Sequence, residues 1–345
     1  LKNTTHSYYE QLNIIDQKIL DLITERGEKM EEIKNNNIEI HDFLYNNNIF
    51  SKLVENKPSY YSTDIIKKVF TPLFSTEINS IYEKRESKLL VSRESKKEDT
   101  VININNVEIG GGISHIISGP CSIENLEQLR TVANEFKAKG LKFIRGGAFK
   151  PRSSPYSFQG LGIDGLKMLK KIGDEFNLIT VSEIVTPSDL SIASQYIDII
   201  QIGARNMQNF ELLKSVGKLN TPVLLKRGIS ATIEEFVNAA EYIASNGNTQ
   251  IILCERGIRT YEPATRNTLD ISAVPILKKL THLPVMVDVT HSTGRKDLLI
   301  PATKAAIAIG ADAIMSEVHP NPSLALSDNT QQMDLSEFRD YLNNI

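Results

Sequence analysis

The chain has 345 residues, of which 41% are hydrophobic and 23% charged, and a net charge of −3. It is longer than one typical domain, so two domains or a barrel with an appendage are expected. The near-neutral balance argues against a general nucleic-acid or anionic-membrane surface, which needs a basic excess. No apolar run could cross a bilayer, and Leu1 to Glu10 lack a secretory apolar core; the missing initiator Met points to a trimmed N-terminus. Two cysteines, Cys121 and Cys254, cannot build a disulfide framework, which fits a reducing cytoplasm.

From Tyr8 to about Ile33 the pattern is helical. Leu12, Ile15, Ile19, Leu22, Ile23 and Met30 recur at three- and four-residue steps, and Arg26 falls on the same stripe. Asn35–Asn37 and Asn46–Asn48 favour loops. Further helical patterns cover roughly Phe43–Asn56 and Thr63–Lys84, with Pro72 a kink or a first-turn residue. A bundle this small buries little surface alone, so packing against a second copy or the main domain is expected. We therefore divide the chain into a helical domain (1–85), a charged linker or docking segment (86–100) and a larger domain (101–345). The last opens with a hairpin, Val101–Ile104 and Val107–Ile109 around Asn105-Asn106.

From His115 the rhythm becomes regular. Short β-rich runs (Ile116–Ser118, Lys142–Ile144, Ile179–Ser182, Ile197–Ile202, Val223–Leu225, Ile251–Leu253, Val285–Val289 and Ala313–Met315) alternate with amphipathic stretches such as Leu126–Lys139 and Ile233–Ser245. Eight βα units across roughly 230 residues match a (β/α)8 barrel. A doubly wound sheet lacks support, because no Gly-x-Gly-x-x-Gly opens a helix after a strand.

Active sites of such barrels gather where strands run into βα loops. Those junctions carry Cys121, the run Arg145 to Tyr156, Glu183, Arg205, Lys226-Arg227, Glu255-Arg256, Asp288 to Ser292, and Glu317 to His319. The strand starts (Leu141, Leu178, Pro222, Thr249, Pro284) carry no comparable chemistry. Cys121, His291, Glu317 and Asp328 could converge on one divalent cation, a donor set of mixed hardness. Each also has a structural use: a buried thiol, a core histidine, a loop cap. His319 competes as a ligand. Arg145, Lys150, Arg152, Arg205, Lys226 and Arg256, with Arg227 and Arg259 nearby, would repel one another around a cavity unless anionic ligands bind there. Pairing with Glu183 or Glu255 accounts for one or two of them.

The segments Gly-Pro-Cys-Ser, Arg-Gly-Gly-Ala-Phe-Lys-Pro-Arg-Ser-Ser-Pro-Tyr-Ser-Phe-Gln-Gly, Ile-Gly-Ala-Arg-Asn-Met-Gln-Asn, Leu-Leu-Lys-Arg-Gly, Cys-Glu-Arg-Gly-Ile-Arg-Thr and Asp-Val-Thr-His-Ser-Thr-Gly together resemble 3-deoxy-D-arabino-heptulosonate-7-phosphate (DAHP) synthase of the type Iβ branch. The likeness runs from about Leu89 to the C-terminus. It implies a transferase that condenses phosphoenolpyruvate with erythrose 4-phosphate, the first step of the shikimate pathway. It also implies a divalent metal on Cys121, His291, Glu317 and Asp328, with Mn²⁺ foremost and Fe²⁺, Co²⁺ or Zn²⁺ as alternatives. Arg145, Lys150, Arg205, Lys226 and Arg256 would hold phosphoenolpyruvate; Pro151, Arg152, Ser153 and Asp328 would meet erythrose 4-phosphate. Lys150, Cys121, His291 and Glu183 would carry the chemistry. A cytoplasmic homotetramer is the expected assembly.

Residues 1–85 resemble, less closely, a chorismate mutase-like domain. Arg26 fits that pattern, but Tyr9, Asn37, Tyr45, Asn46 and Ile81 stand where charged or amide groups are expected, and only Lys34 could substitute for one of them. Without those groups the polarised ether of chorismate loses its electrostatic support. A regulatory module binding chorismate or prephenate, or an inert bundle, is expected instead of a mutase. Two alternatives for the barrel remain: a 3-deoxy-octulosonate 8-phosphate synthase, whose loop typically reads Lys-Ala-Asn-Arg-Ser where this chain has Lys-Pro-Arg-Ser, and a non-catalytic metabolite-binding barrel.

Overall fold

Residues Leu1–Lys88 and Leu89–Ile345 fold as separate units, and the computed structural model describes residues 2–36, 49–56, 58, 60–86, 89–152 and 154–345. The first unit holds helices α1 (Lys2–Asn35), α2 (Ile49–Glu55) and α3 (Thr63–Glu86). The second expected helix began near Phe43, but its first turns lie outside the described residues, as do Asn37, Tyr45 and Asn46. Pro72 sits inside α3 and not at a first turn. The apolar stripe of α1 is largely uncovered: Leu12, Ile15, Ile19 and Leu22 are each at least half exposed, whereas Met30 and Phe74 are buried. Three helices supply too few apolar partners to cover it. The Arg26 guanidinium lies 4.7 Å from the centroid of the Phe74 ring, a cation–π contact.

In the second unit, the charged segment before the hairpin is fastened to the barrel domain. Val91 is buried, Arg93 donates through its backbone N to Leu280 O and through Nε to Lys278 O, and the His282 ring bridges Thr100 Oγ1 and Leu90 O. Strands β1 (Ile102–Ile104) and β2 (Val107–Ile109) pair antiparallel. Their turn puts Asn105 and Asn106 at φ 49° and 66°, the two left-handed residues of a type I′ hairpin.

Eight parallel strands then close into a barrel: β3 (His115–Ser118), β4 (Phe143–Arg145), β5 (Ile179–Glu183), β6 (Ile199–Ile202), β7 (Val223–Lys226), β8 (Ile251–Glu255), β9 (Val285–Asp288) and β10 (Ala313–Met315). Pairing of β10 with β3 completes the ring, Ala313 opposite His115. Helices such as α4 (Leu126–Ala138), α5 (Ile163–Phe176), α8 (Ile233–Ala244), α9 (Ala273–Leu280) and α12 (Leu335–Asn343) follow the strands, with α6 (Leu190–Ala193), α7 (Phe210–Val216), α10 (Val289–Thr293) and α11 (Leu299–Ala308) between them. Several start where a side chain caps them. Thr232 and Glu235 form a capping box on α8, and Asp334 and Glu337 form one on α12. Phe136 and Phe236 are fully buried on the helix-facing side, each contributing about 1.5–3 kcal/mol.

Side chains alternate across each strand. Ile144, Ile200, Leu225, Leu253, Val287 and Ile314 belong to the core beneath the helices. Ile117, Phe143, Val181, Ile199, Leu224, Ile252, Met286 and Met315 belong to a second core inside the barrel, which the hairpin residues Ile102, Ile104 and Ile109 join. One end of the barrel is thus packed with aliphatic side chains.

Candidate active site

The same alternation, continued one step, builds the site at the other end. Two residues beyond an interior core residue stand Arg145 (after Phe143), Glu183 (after Val181), Gln201 (after Ile199), Lys226 (after Leu224), Arg256 (after Cys254), Asp288 (after Met286) and Glu317 (after Met315). Arg145, Glu183, Gln201, Lys226 and Arg256 line a cavity of about 490 Å³, with Asp288 and Glu317 buried outside its lining; its walls include Arg145, Lys150, Pro151, Arg152, Glu183, Arg205, Lys226, Arg256, His291 and Asp328. All ten were expected at the site. Ser153 lies outside the described residues. Gln201, Arg266 and Asn267 also line the cavity and were missed; Gln201 was signalled by its phase on β6, whereas Arg266 and Asn267 sit on a loop with no periodic cue.

Arg227 is one residue out of phase with Lys226 and leaves the cavity. Its Nη1 donates to Glu255 Oε2 and Asp270 Oδ2, each at 2.8 Å, so this expected neighbour of the cation cluster is an internal ion pair. Burial pushes the Glu255 carboxyl up, against the pull of Arg227.

Cys121, His291, Glu317 and Asp328 place one donor atom each within 4.8 Å of one another. His291 Nε2 lies 3.3 Å from Glu317 Oε1 and 3.7 Å from Asp328 Oδ2. Burial pushes the Cys121 thiol up to about 11, with Glu317 adding to it and Lys150 opposing. Burial also lowers the His291 imidazole, against Asp288 and Glu317. On both carboxylates burial is outweighed: His291 and Arg145 hold Glu317 below the usual range, and His291 and Arg266 do so for Asp328. A thiol, an imidazole and two carboxylates suit a first-row divalent cation, which would displace the thiol proton.

Neighbouring groups fix these donors. Gln331 Nε2 donates to Glu317 Oε2 at 2.8 Å and to Asp328 Oδ2 at 3.2 Å, while its Oε1 accepts from Arg266 Nη1. Gln332 Oε1 accepts from the Cys121 backbone N. Asp328 itself takes a left-handed φ of 46°, a conformation that costs energy for a non-glycine residue and is held here by its contacts. His319, the rival ligand, pairs with Glu124 at 3.4 Å and stands outside the cluster. Cys254 is fully buried inside the barrel core, where burial drives its thiol far up.

The cation excess is large. Eight basic side chains line the cavity among the described residues, against Glu183 and Asp328. Arg145 is paired with Glu317, Lys226 with Asp288 and Arg266 with Asp328. Arg205, Arg256 and Arg259 make no ion pair among the described residues, so they are poised for an anion brought from outside. Burial lowers the Arg256 guanidinium, a cost that a bound anion would offset.

Residues 92–344 match the DAHP synthetase I family. The chain is 57% identical over 251 residues to the phospho-2-dehydro-3-deoxyheptonate aldolase of Thermotoga maritima, covering 73% of this chain and 74% of that protein. The crystal structure of the Thermotoga maritima phospho-2-dehydro-3-deoxyheptonate aldolase (DAHP synthase) superposes with a TM-score of 0.72 at 56% identity, over 74% of this chain and 75% of that one. A 2-dehydro-3-deoxyphosphooctonate aldolase of Francisella tularensis is 30% identical over 261 residues, covering 70% of this chain and 94% of that protein. Residues 1–88 fall outside the family match, and among the described residues no helix is long and apolar enough to cross a membrane.

Proposed function

Because the chain belongs to the DAHP synthetase I family, we propose that it condenses phosphoenolpyruvate with D-erythrose 4-phosphate and water to give DAHP and phosphate, opening the shikimate pathway. What carries this reading is one juxtaposition: four metal-type donors within 4.8 Å, beside a cavity walled by basic side chains. Two phosphorylated substrates need that many cations; one does not.

Arg145, Lys150, Arg205, Lys226 and Arg256 would bind the phosphate and carboxylate of phosphoenolpyruvate, the arginines through forked donors and the lysines as point charges. Arg152 and Pro151, on the loop after β4, would position the sugar phosphate, with Ser153 beside them in sequence. Cys121, His291, Glu317 and Asp328 would hold a divalent cation, with Mn²⁺ foremost; when bound, it supplies Lewis-acid polarisation of the aldehyde. Carbon 3 of phosphoenolpyruvate attacks the aldehyde carbon, and water adds at carbon 2. The resulting hemiketal phosphate breaks its carbon–oxygen bond and phosphate leaves. Lys150 Nζ, 3.1 Å from Cys121 Sγ, is placed to supply a proton to the alkoxide that forms from the aldehyde. Glu183, whose Oε2 accepts from Gln201 Nε2 at 3.2 Å, would take the proton from the attacking water. Fixed cations lining the cavity stabilise the shifting charge without reorganising.

The higher identity to the heptonate enzyme supports erythrose 4-phosphate over the one-carbon-longer arabinose 5-phosphate, as does the Lys150-Pro151-Arg152 sequence of the loop. Phosphate release measured with each aldose phosphate tests this: turnover should require erythrose 4-phosphate, and a preference for arabinose 5-phosphate would reassign the substrate. For residues 1–88 we infer a regulatory or assembly role without mutase activity, in a cytoplasmic homotetramer. Prephenate titrated into the full chain should change phosphate release; no effect on rate and no heat in calorimetry would leave an inert bundle.

A further inference from the structure

Asp288 is a carboxylate with two claims on one oxygen. It is wholly buried and ends β9, where its Oδ1 accepts from the His291 backbone N at 2.9 Å as the cap of α10. Its Oδ2 accepts from His291 Nδ1 at 2.8 Å and from Lys226 Nζ at 2.5 Å. The far face of the imidazole, Nε2, looks onto Glu317 and Asp328. Lys226 looks into the cavity. One buried oxygen thus touches the donor cluster through a histidine and the anion cavity through a lysine.

We propose that Asp288 is a positioning residue that couples these two sites, so that a divalent cation on His291 and an anion on Lys226 each tighten the binding of the other. The coupling follows from sharing. A cation at Nε2 withdraws electron density from the ring, and the Nδ1–H then donates more strongly to Oδ2. Less of that oxygen's charge remains to neutralise Lys226, whose ammonium becomes freer for substrate oxygens. In the other direction, an anion that draws Lys226 away leaves Oδ2 to His291 alone and makes the imidazole a better ligand. No solvent reaches Asp288 to damp the exchange, and polarisation passes along such chains of hydrogen bonds. By linkage the two effects are equal in size.

This rests on the substrate reading above for the identity of the anion, so the test uses two anions. The metal-stripped full chain is titrated calorimetrically with phosphoenolpyruvate and with inorganic phosphate, with and without Co²⁺. Co²⁺ binding is followed separately by its thiolate absorption. In the wild type Co²⁺ should tighten the anion, and the anion Co²⁺, by one common factor of about 5- to 150-fold. Asp288→Asn keeps the shape and removes the shared charge. It should weaken Co²⁺ by about 10- to 100-fold, leave anion affinity of the stripped protein unchanged or higher, and reduce the common factor to near one. Lys226→Met cuts the link at its other end and should also bring the factor near one, which keeps the test decisive if Asp288→Asn fails to fold. No coupling in the wild type, coupling that survives in the variants, or equal loss of both affinities in Asp288→Asn overturns the proposal. Coupling seen with phosphate while phosphoenolpyruvate does not bind would sink the substrate reading and leave Asp288 its role.

Discussion

The ammonium of Lys150 stands 3.1 Å from both the sulfur and the carbonyl oxygen of Cys121. A lysine on the loop after β4 is thereby locked against a thiol on the loop after β3, beside the carboxylates of Glu317 and Asp328. Lys150→Met should lower kcat/KM by about 10³-fold, equivalent to about 4 kcal/mol of transition-state stabilisation. Co²⁺ should still bind with its thiolate band. Near-normal turnover in this variant would remove Lys150 from the chemistry.

Arg152 lines the cavity and anchors its own loop, with Nε donating to Phe158 O at 3.1 Å. Arg152→Ala should raise the KM for erythrose 4-phosphate by about 10- to 100-fold, as loss of a charge-assisted phosphate contact does. The KM for phosphoenolpyruvate should move far less. Steady-state kinetics with each substrate varied in turn decides it, and equal effects would mean the loop is not divided between the substrates as assigned.

Gly203 faces Glu183 so closely that an added Cβ would meet Glu183 Oε1 at 2.0 Å. The atoms in the way belong to the end of a flexible side chain, so Gly203→Ala should fold normally while swinging the carboxylate aside. If Glu183 handles the proton of the attacking water, kcat should fall by about 10²-fold or more, with the melting temperature little changed. Wild-type kcat would release Glu183 from that duty.

The barrel and most of the cavity were legible in the sequence because both obey one period. Strands read from their β-branched runs end at chemical residues, and Arg145, Glu183, Lys226 and Glu317 were found from that position alone. What position did not give was phase. Lys226 and Arg227 are adjacent and both basic, yet only Lys226 continues the inward set of Leu224, while Arg227 turns to Glu255 and Asp270. Asp288 sat in plain view before His291 but had no assigned role, since its other partner, Lys226, comes from a different strand, 62 residues away in sequence. The stripe on α1 was legible as well, but not what covers it. Periodicity reports which face is apolar, and says nothing of whether this chain supplies enough surface to cover it.

Tyr341 offers a pH test away from the donor cluster. It is 1% exposed, its hydroxyl lies 2.9 Å from Thr303 Oγ1, and burial pushes it up to about 12. The unfolded chain ionises this phenol near its ordinary value while the folded chain keeps the proton. The unfolded state therefore binds fewer protons above about pH 10, and stability falls from there toward pH 12 by up to about 2 kcal/mol. Tyr341→Phe should lose that part of the alkaline decline, seen as a shallower fall of melting temperature between pH 9 and 11.5. Parallel curves for the two proteins would show that the phenol does not contribute.

The central claim is that the four-donor cluster and the cation-lined cavity act together as a metal-dependent condensing site. Phosphate release from phosphoenolpyruvate and erythrose 4-phosphate, followed as the EDTA-stripped protein is titrated with Mn²⁺, tests it most directly. The account predicts negligible turnover after stripping, recovery as Mn²⁺ is added, and no recovery in Cys121→Ala or His291→Ala. Undiminished phosphate release in EDTA, or full recovery in either variant, would contradict it.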